Sequence, residues 1–382
     1  MAATRTVFTR EHEEFRALVK EFLAREVAPH HAQWEADGQV DRSVYKAAAK
    51  AGVLGFSVPV EYGGLGVTDF RYNAIAAEEQ SKARFHGPAF TLHNDIIAPY
   101  LQRLSNDEQK RRWLPGLAAG ELIFAIAMSE PGAGSDLAGI QTSARRDGDE
   151  WVINGQKTFI SNGILSDVVI VVTRTDPEAG HKGFSLIAVE RGTPGFERGR
   201  KLRKMGNNAQ DTAELFFNDA RVPASNLLGQ EGRGFIHLME NLPSERLSIA
   251  ISAVASARQV FDDALTYAKE RTAFGSPIGS FQANRFALAE MDTELDIARV
   301  YIDNCIQRVL DDTLTAVDAA KAKWWATELN KSVVDRCLQL YGGYGYMLEY
   351  PVAKAYQDVR ISTILGGSTE IMKEIIGKNL GV

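Results

Sequence analysis

The residues with the most chemical content lie in the run Ala127-Met128-Ser129-Glu130-Pro131-Gly132-Ala133-Gly134-Ser135-Asp136-Leu137-Ala138-Gly139. It follows an apolar, strand-like segment, Leu122–Met128, and sets three glycines among the hydroxyl side chains of Ser129 and Ser135. A loop of that make-up brings bare backbone amides against a flat or anionic ligand. A second candidate is the carboxylate in Leu242-Pro243-Ser244-Glu245-Arg246-Leu247, where Pro243 predicts a helix kink or start that turns Glu245 toward a cleft. Taken one at a time, these features have plain structural readings: a glycine-rich turn, and an exposed charged pair on a helix.

The elements that must position them are readable from periodicity. In Glu11 to Val27, Phe15, Leu18, Val19, Phe22 and Leu23 recur at three- and four-residue steps, the pattern of an amphipathic helix, which Pro29 should end. Further helical segments follow to about residue 119, the last of them opened by the capping-box pattern Ser105-Asn106-Asp107-Glu108. Between 121 and 230 the texture becomes short and rich in β-branched and aromatic residues: Leu122–Met128, Trp151–Ile160, Val168–Thr173, Phe184–Val189 and Ala213–Phe217 predict a small antiparallel β domain. Helical periodicity then returns over roughly 235–271, 281–311, 313–341 and 369–379, long helices with short joints. The expected fold is multidomain α+β: an N-terminal all-α domain over 1–120, a middle antiparallel β domain over 121–230, and a C-terminal four-helix bundle over 231–382.

Composition narrows the function. The chain has 382 residues, 45% hydrophobic and 24% charged, enough to fill the cores of two or three domains. With 43 Lys and Arg against 49 Asp and Glu the net charge is −6, and no basic block stands out, so no nucleic-acid footprint is expected. The two cysteines, Cys305 and Cys337, fall within apolar helical patterns and read as core thiols. No apolar run is long enough for a membrane span, and Met1 to Arg10 lacks the apolar stretch of a secretory signal, which predicts a cytoplasmic protein, although a matrix protein stripped of its transit peptide would read alike. No Gly-x-Gly-x-x-Gly follows a strand, and Gly377-Lys378 is followed by Asn379, which removes a Rossmann turn and a P-loop. The single Glu-x-x-His, Glu178 to His181, lies in a Pro/Gly loop, so no metal is expected.

The run from Ala127 to Gly139 resembles the first signature of the acyl-CoA dehydrogenase flavoproteins. Gln339-Leu340-Tyr341-Gly342-Gly343-Tyr344-Gly345-Tyr346, with Glu349, Lys354 and Asp358 after it, resembles the second, and the α, β, α order agrees over nearly the whole chain. The resemblance implies FAD between the β domain and the bundle. It places Ile126, Met128 and Ser129 against the flavin, with the Ser129 hydroxyl as a hydrogen-bond partner. Asn154 to Asn162 resembles the strand that covers the flavin ring, with Phe159 at the stacking position and Ser161 at a hydrogen-bonding one; many members carry Trp where Phe159 stands. Arg271-Thr272-Ala273-Phe274-Gly275 and Gln282 resemble the segment that reaches a neighbouring subunit's FAD, where an arginine fork suits a pyrophosphate. Gln339, Gly342 and Gly343 match contacts to the same neighbouring cofactor, so the resemblance implies a homotetramer, a dimer of dimers. Ser368 and Glu370 would complete the flavin envelope, and Ser135 and Arg246 match contacts to the CoA portion and the thioester.

Removing hydrogens from the α and β carbons of an acyl thioester needs a base, donors for the developing enolate oxygen, and a cofactor that accepts hydride. In most relatives the base is a Glu just before a Gly-Thr pair, but Ile364-Leu365-Gly366-Gly367-Ser368-Thr369-Glu370 has Gly366 there. A smaller group, the long-chain and isovaleryl enzymes, carries the base on the first long helix of the bundle, before an Arg, and Glu245-Arg246 fits that pattern. The implied chemistry is dehydrogenation of an acyl-CoA to the trans-2-enoyl-CoA, with Glu245 taking the α proton, flavin N5 taking the β hydride, the Gly366 N–H holding the thioester carbonyl, and electrons leaving through an electron-transfer flavoprotein. Gly at 366 is expected to free space beside the α carbon, and Phe90, Leu92, Ile96 and Ile97 offer an apolar slot for a medium, long or branched tail, although all four also fit a helix core. A flavin oxidase, a biosynthetic or sterol-side-chain dehydrogenase, and a non-catalytic helical scaffold remain open on the same fold.

Overall fold

The computed structural model describes residues 5–382. Six helices come first: α1 (Arg10–Phe22), α2 (Ala28–Asp37), α3 (Ser43–Lys50), α4 (Phe70–Lys82), α5 (Ala98–Leu104) and α6 (Asp107–Ala118). Pro29 does not end the first helical stretch. A π-turn, Leu23–Val27, widens the coil, and Pro29 falls in the first turn of α2, where a missing N–H costs nothing. The cap of α6 lies one residue later than the sequence pattern suggested: Asn106 accepts from the Gln109 N–H at 2.9 Å and the Gln109 side chain accepts from the Asn106 N–H at 2.9 Å.

Eight strands form one sheet: β1 (Phe124–Ala127), β2 (Ser143–Asp147), β3 (Glu150–Ser161), β4 (Val168–Arg174), β5 (Phe184–Glu190), β6 (Phe196–Lys201), β7 (Thr212–Pro223) and β8 (Leu227–Leu228). The order is β6-β7-β3-β2-β4-β5-β8, with β1 beside β4. The sheet is not wholly antiparallel, because β1 runs parallel to β4, Phe124 opposite Val168 and Ala127 opposite Val171. The run Val168 to Val172 is buried residue after residue, as a strand covered on both faces must be. Strands β2 and β6, Ser-Ala-Arg-Arg-Asp and Phe-Glu-Arg-Gly-Arg-Lys, carry almost no apolar signal and are held chiefly by backbone pairing with β3 and β7.

The C-terminal part contains α7 (Gly234–Glu270), a hairpin of β9 (Thr272–Ala273) and β10 (Ser276–Pro277), then α8 (Gln282–Leu310), α9 (Ala316–Tyr341), α10 (Pro351–Val359) and α11 (Thr369–Leu380). α7 continues unbroken through Pro243, so the proline is neither its start nor its end. Leu247, Ile251, Phe261, Met291, Leu295, Val333 and the free thiols Cys305 and Cys337 share one core, onto which α4 packs Ala74 and Ala77. Arg5 fixes that packing from the side, pairing with Glu78 of α4 at 2.6 Å and Asp303 of α8 at 2.5 Å. Among the described residues no helix is long and apolar enough to cross a membrane.

Candidate active site

The loop after β1 is held by a buried ion pair. Lys157 of β3, its side chain fully buried, donates to Glu130 at 2.8 Å and to the Met128 carbonyl at 3.0 Å. Glu130 also accepts from the backbone of Gln141 at 2.7 Å and Thr142 at 2.9 Å, and the Ser129 carbonyl accepts from the Thr158 N–H at 2.9 Å. Burial pulls the Lys157 ammonium down to about 8 against the pull of Glu130; burial would raise Glu130, but Lys157 outweighs it and holds the carboxyl below its usual value. The loop is thereby tied to β3, with Ile126, Met128 and Ser129 half-buried beside it. Two residues beyond Lys157, where the β3–β7 register slips, Phe159 adopts φ +60° and is 70% exposed. A bulky residue held in the left-handed region with its ring in solvent costs of order 1 kcal/mol or more and points to a partner for that ring. Ser161 closes β3 opposite Thr212.

A second group forms at the end of the bundle. Phe274 and Gly275, at φ +51° and +77°, make the two-residue turn of the β9–β10 hairpin, and Phe274 at its tip is 98% exposed. Arg271 lies over the Tyr344 ring at 5.6 Å and lines one open pocket with Gln339, Gly342 and Gly343, a pocket that includes none of Ser129, Phe159 or Ser161. A Cβ on Gly342 or Gly343 would meet nothing within 4 Å; the φ of +58° favours glycine at 342, but nothing in the chain's own structure demands it at 343, where the bare backbone faces outward. Gln282 is exposed at the first turn of α8.

Glu245, on α7, is only 6% exposed, and its Oε1 has no hydrogen-bond partner. Burial pushes its carboxyl up to about 7; the Tyr100 hydroxyl and Arg246 pull it down, and Asp95 pushes it further up. It borders a cavity of roughly 210 Å³, with Asp95, Ile96, Ser248, Ile249, Asn330 and Leu365 also in its walls. Arg246 donates to the Gly366 carbonyl at 3.3 Å, and the fully buried Lys323 of α9 donates to the Gly367 carbonyl at 2.6 Å. Desolvation, then Arg246, lower Lys323 to about 8. Both carbonyls of the 366–367 turn are thus clamped from the bundle side. Ser368 caps α11, accepting from the Ile371 N–H at 3.5 Å, and Glu370 stands exposed in that helix's first turn, lowered first by the Ser368 hydroxyl. An exposed acid and a buried one with an open oxygen are different chemical objects; Glu370 is the first kind and Glu245 the second. Ser135 is exposed in the β1–β2 loop.

Two expectations need correction. Gly366, at φ +65°, has no spare room, since a Cβ would meet the Ile249 Cδ1 at 2.4 Å. Of the proposed tail slot, only Ile96 lines the cavity; Phe90 packs with Val19 and Phe22, and Ile97 and Leu92 pack with the α5–α6 core. Sequence reasoning also passed over Lys157, Lys323, Glu130 and Asp95. The available signal was a lone lysine on the buried face Ala319, Ala322, Lys323, Ala326 of α9, where only a partnered charge can stay.

An acid kept out of water beside a clamped glycine turn suits removal of a proton next to a carbonyl, so the fold and site set the class as an enzyme acting on activated acyl groups. Three domain profiles of one family match in sequence order: "Acyl-CoA dehydrogenase, N-terminal domain" over residues 9–121, "middle domain" over 125–220 and "C-terminal domain" over 232–381. The long-chain specific acyl-CoA dehydrogenase of Sus scrofa mitochondria is 48% identical over 98% of this chain and 88% of its own. An acyl-CoA dehydrogenase from Geobacillus kaustophilus superposes with a TM-score of 0.97 at 48% identity, over 99% of this chain and all of the other. A glutaryl-CoA dehydrogenase from Mycobacterium smegmatis, solved in complex with FADH2, superposes at 0.91 with 28% identity, over 99% and 96%. The chain belongs to the acyl-CoA dehydrogenase family, and its activity is FAD-dependent dehydrogenation of an acyl-CoA thioester. The exposed ring of Phe159, the open backbone at Gly342 and Gly343, and Arg271 beside them fit FAD.

Proposed function

We propose that the enzyme acts on long-chain or branched acyl-CoA thioesters in fatty acid β-oxidation, with Glu245 as the base that removes the α proton. The observation that carries this is a buried carboxyl with one unpartnered oxygen, in the wall of a cavity, whose affinity for protons is raised to about 7. Near neutral pH such a group is ionised often enough to take a proton and basic enough to keep it. The Gly366 N–H donates to the thioester carbonyl as charge gathers there. Arg246 and Lys323 act through the two carbonyls they hold, fixing the direction of that N–H before substrate arrives. FAD, when bound, supplies the acceptor for the β hydride.

On the cofactor, Ile126, Met128, Ser129, Phe159 and Ser161 would hold the flavin, joined by Ser368 and Glu370, while Ser135 would meet the CoA portion. Arg271, Phe274, Gln282, Gln339, Gly342 and Gly343 would complete the site of a neighbouring copy, giving a homotetramer built as a dimer of dimers. An electron-transfer flavoprotein in the cytoplasm would reoxidise the enzyme. Resemblance to the long-chain specific relative favours the longer substrates. The test is anaerobic bleaching of the flavin by dodecanoyl-CoA. Glu245→Gln keeps size and hydrogen bonding but cannot take the proton, so bleaching should slow by roughly 10²- to 10⁴-fold with FAD retained. Wild-type bleaching rates in that variant would remove Glu245 from the role.

A further inference from the structure

The cavity beside Glu245 is largely apolar, but polar groups interrupt its walls. Besides Glu245, three side chains in its walls that are more than nine-tenths buried have a polar atom without a hydrogen-bond partner: Asp95 Oδ2, Ser248 Oγ and Asn330 Oδ1. Asp95 uses its other oxygen to accept from Asn73 at 2.7 Å, so the free one is fixed in direction. Along α7 the wall continues with Ser252 and Ser256, a hydroxyl on each successive turn after Glu245. A plain hydrocarbon tail would strip water from these groups and give nothing back, which is the costly way to bury them.

We propose that this cavity selects acyl-CoA thioesters that carry a hydroxyl group a few carbons beyond the β carbon, held by Asp95 and Ser248. The inference rests on the reading of the cavity as the acyl chamber. Ser248 is three residues along the helix from Glu245, a rise of about 4.5 Å, which places its hydroxyl past the carbons that react. Asp95 raises the Glu245 carboxyl, and the Ser248 hydroxyl lies near enough to Asp95 to lower the Asp95 carboxyl, so the three side chains are close neighbours. A hydroxyl is the group that satisfies the pair, donating to Asp95 Oδ2 while accepting from the Ser248 hydroxyl. It is neutral and leaves the charge of Glu245 undisturbed. The described wall contains no Lys or Arg, so a tail ending in a carboxylate would meet Asp95 and Glu245 with no cation to offset them.

The test compares dodecanoyl-CoA, 6-hydroxydodecanoyl-CoA and dodecanedioyl-CoA with the FAD-loaded enzyme, read as kcat/KM for anaerobic bleaching and as Kd by calorimetry on Glu245→Gln. The hydroxylated thioester should be preferred over the plain one by roughly fivefold or more, as one or two added hydrogen bonds give, and the dioic one should be the poorest. In Asp95→Leu and in Ser248→Ala the ratio of hydroxylated to plain substrate should fall toward one. Because each ratio is taken within one protein, a general loss of activity in either variant does not mimic the effect. Equal or weaker use of the hydroxylated thioester by the wild type, or a preference that survives both replacements, would overturn the inference and leave the proposed function standing. Failure of every thioester to bleach the flavin would sink both.

Discussion

Glu245 should make the folded protein less stable as the pH rises, and the effect can be sized from its burial. Its carboxyl goes from an ordinary 4.5 to about 7 because it is desolvated with one oxygen unpaired. The folded state therefore binds the proton more tightly than the unfolded chain does. The stability associated with the neutral acid is fully present below the unfolded value, near 4.5, and is lost as pH rises through about 7. At 1.36 kcal/mol per unit, a rise of this size corresponds to about 3 kcal/mol. Glu245→Gln is a neutral isostere without that loss, so it should exceed the wild type by under about 1 kcal/mol at pH 5 and by about 3 kcal/mol at pH 8, a few degrees in Tm. The assay is thermal and urea unfolding of both FAD-loaded proteins at the two pH values. Other carboxylates titrate equally in both, so only the change in the gap counts. With Glu245 in its proposed role as base, the wild-type rate of flavin bleaching should also fall about tenfold per unit below pH 7. A gap that stays constant from pH 5 to 8, or a variant less stable at pH 8, would refute the assignment of a desolvated acid at this position.

Arg271→Ala should weaken FAD retention by about tenfold or more, the scale of a lost charge-assisted contact, and shift the assembly toward smaller species while the circular dichroism of the chain stays unchanged; undiminished FAD content through gel filtration would argue against a role across the subunit boundary. Lys323→Met removes the donor to the Gly367 carbonyl but keeps the volume of the stem, so bleaching should slow by about tenfold with little change in substrate Kd. A change confined to Kd would place Lys323 in substrate binding instead of in positioning the turn.

The two signatures and the α, β, α order were readable because residue type alone carries their content. Gly342 sits at a φ of +58°, a conformation its residue type allows, and the proposed roles of Arg271 as a fork and of Glu245 as the base in place of a glutamate at 366 rest on residue type as well. What was not readable depends on where a side chain goes once the chain has folded. Lysine normally marks a solvated surface, so Lys157 gave no hint that Glu130 waits in the interior, and Lys323 gave one only through its place on the alanine face of α9. The parallel pairing of β1 with β4 joins segments some forty residues apart, and periodicity is blind to such distance. Pro29 reads as a stop because proline breaks helix interiors, yet a π-turn moves it to a first turn, where the same residue is welcome.

The acyl chamber is the instructive failure. Phe90, Leu92 and Ile97 have the pattern that a slot lining and a helix core share, and packing gives them to the core. The chamber wall is made instead by Ser248, Ser252 and Ser256, which read on α7 as ordinary polar positions, and by Asp95, which reads as a surface acid. On the proposed reading, the specificity of this chain is recorded in polar residues that helix packing turns toward the cavity, one turn after another beyond Glu245. A sequence shows such residues only as interruptions of an apolar pattern. Their meaning appears when Asp95 and Glu245, each with an unpartnered oxygen, are found in the wall of the same cavity.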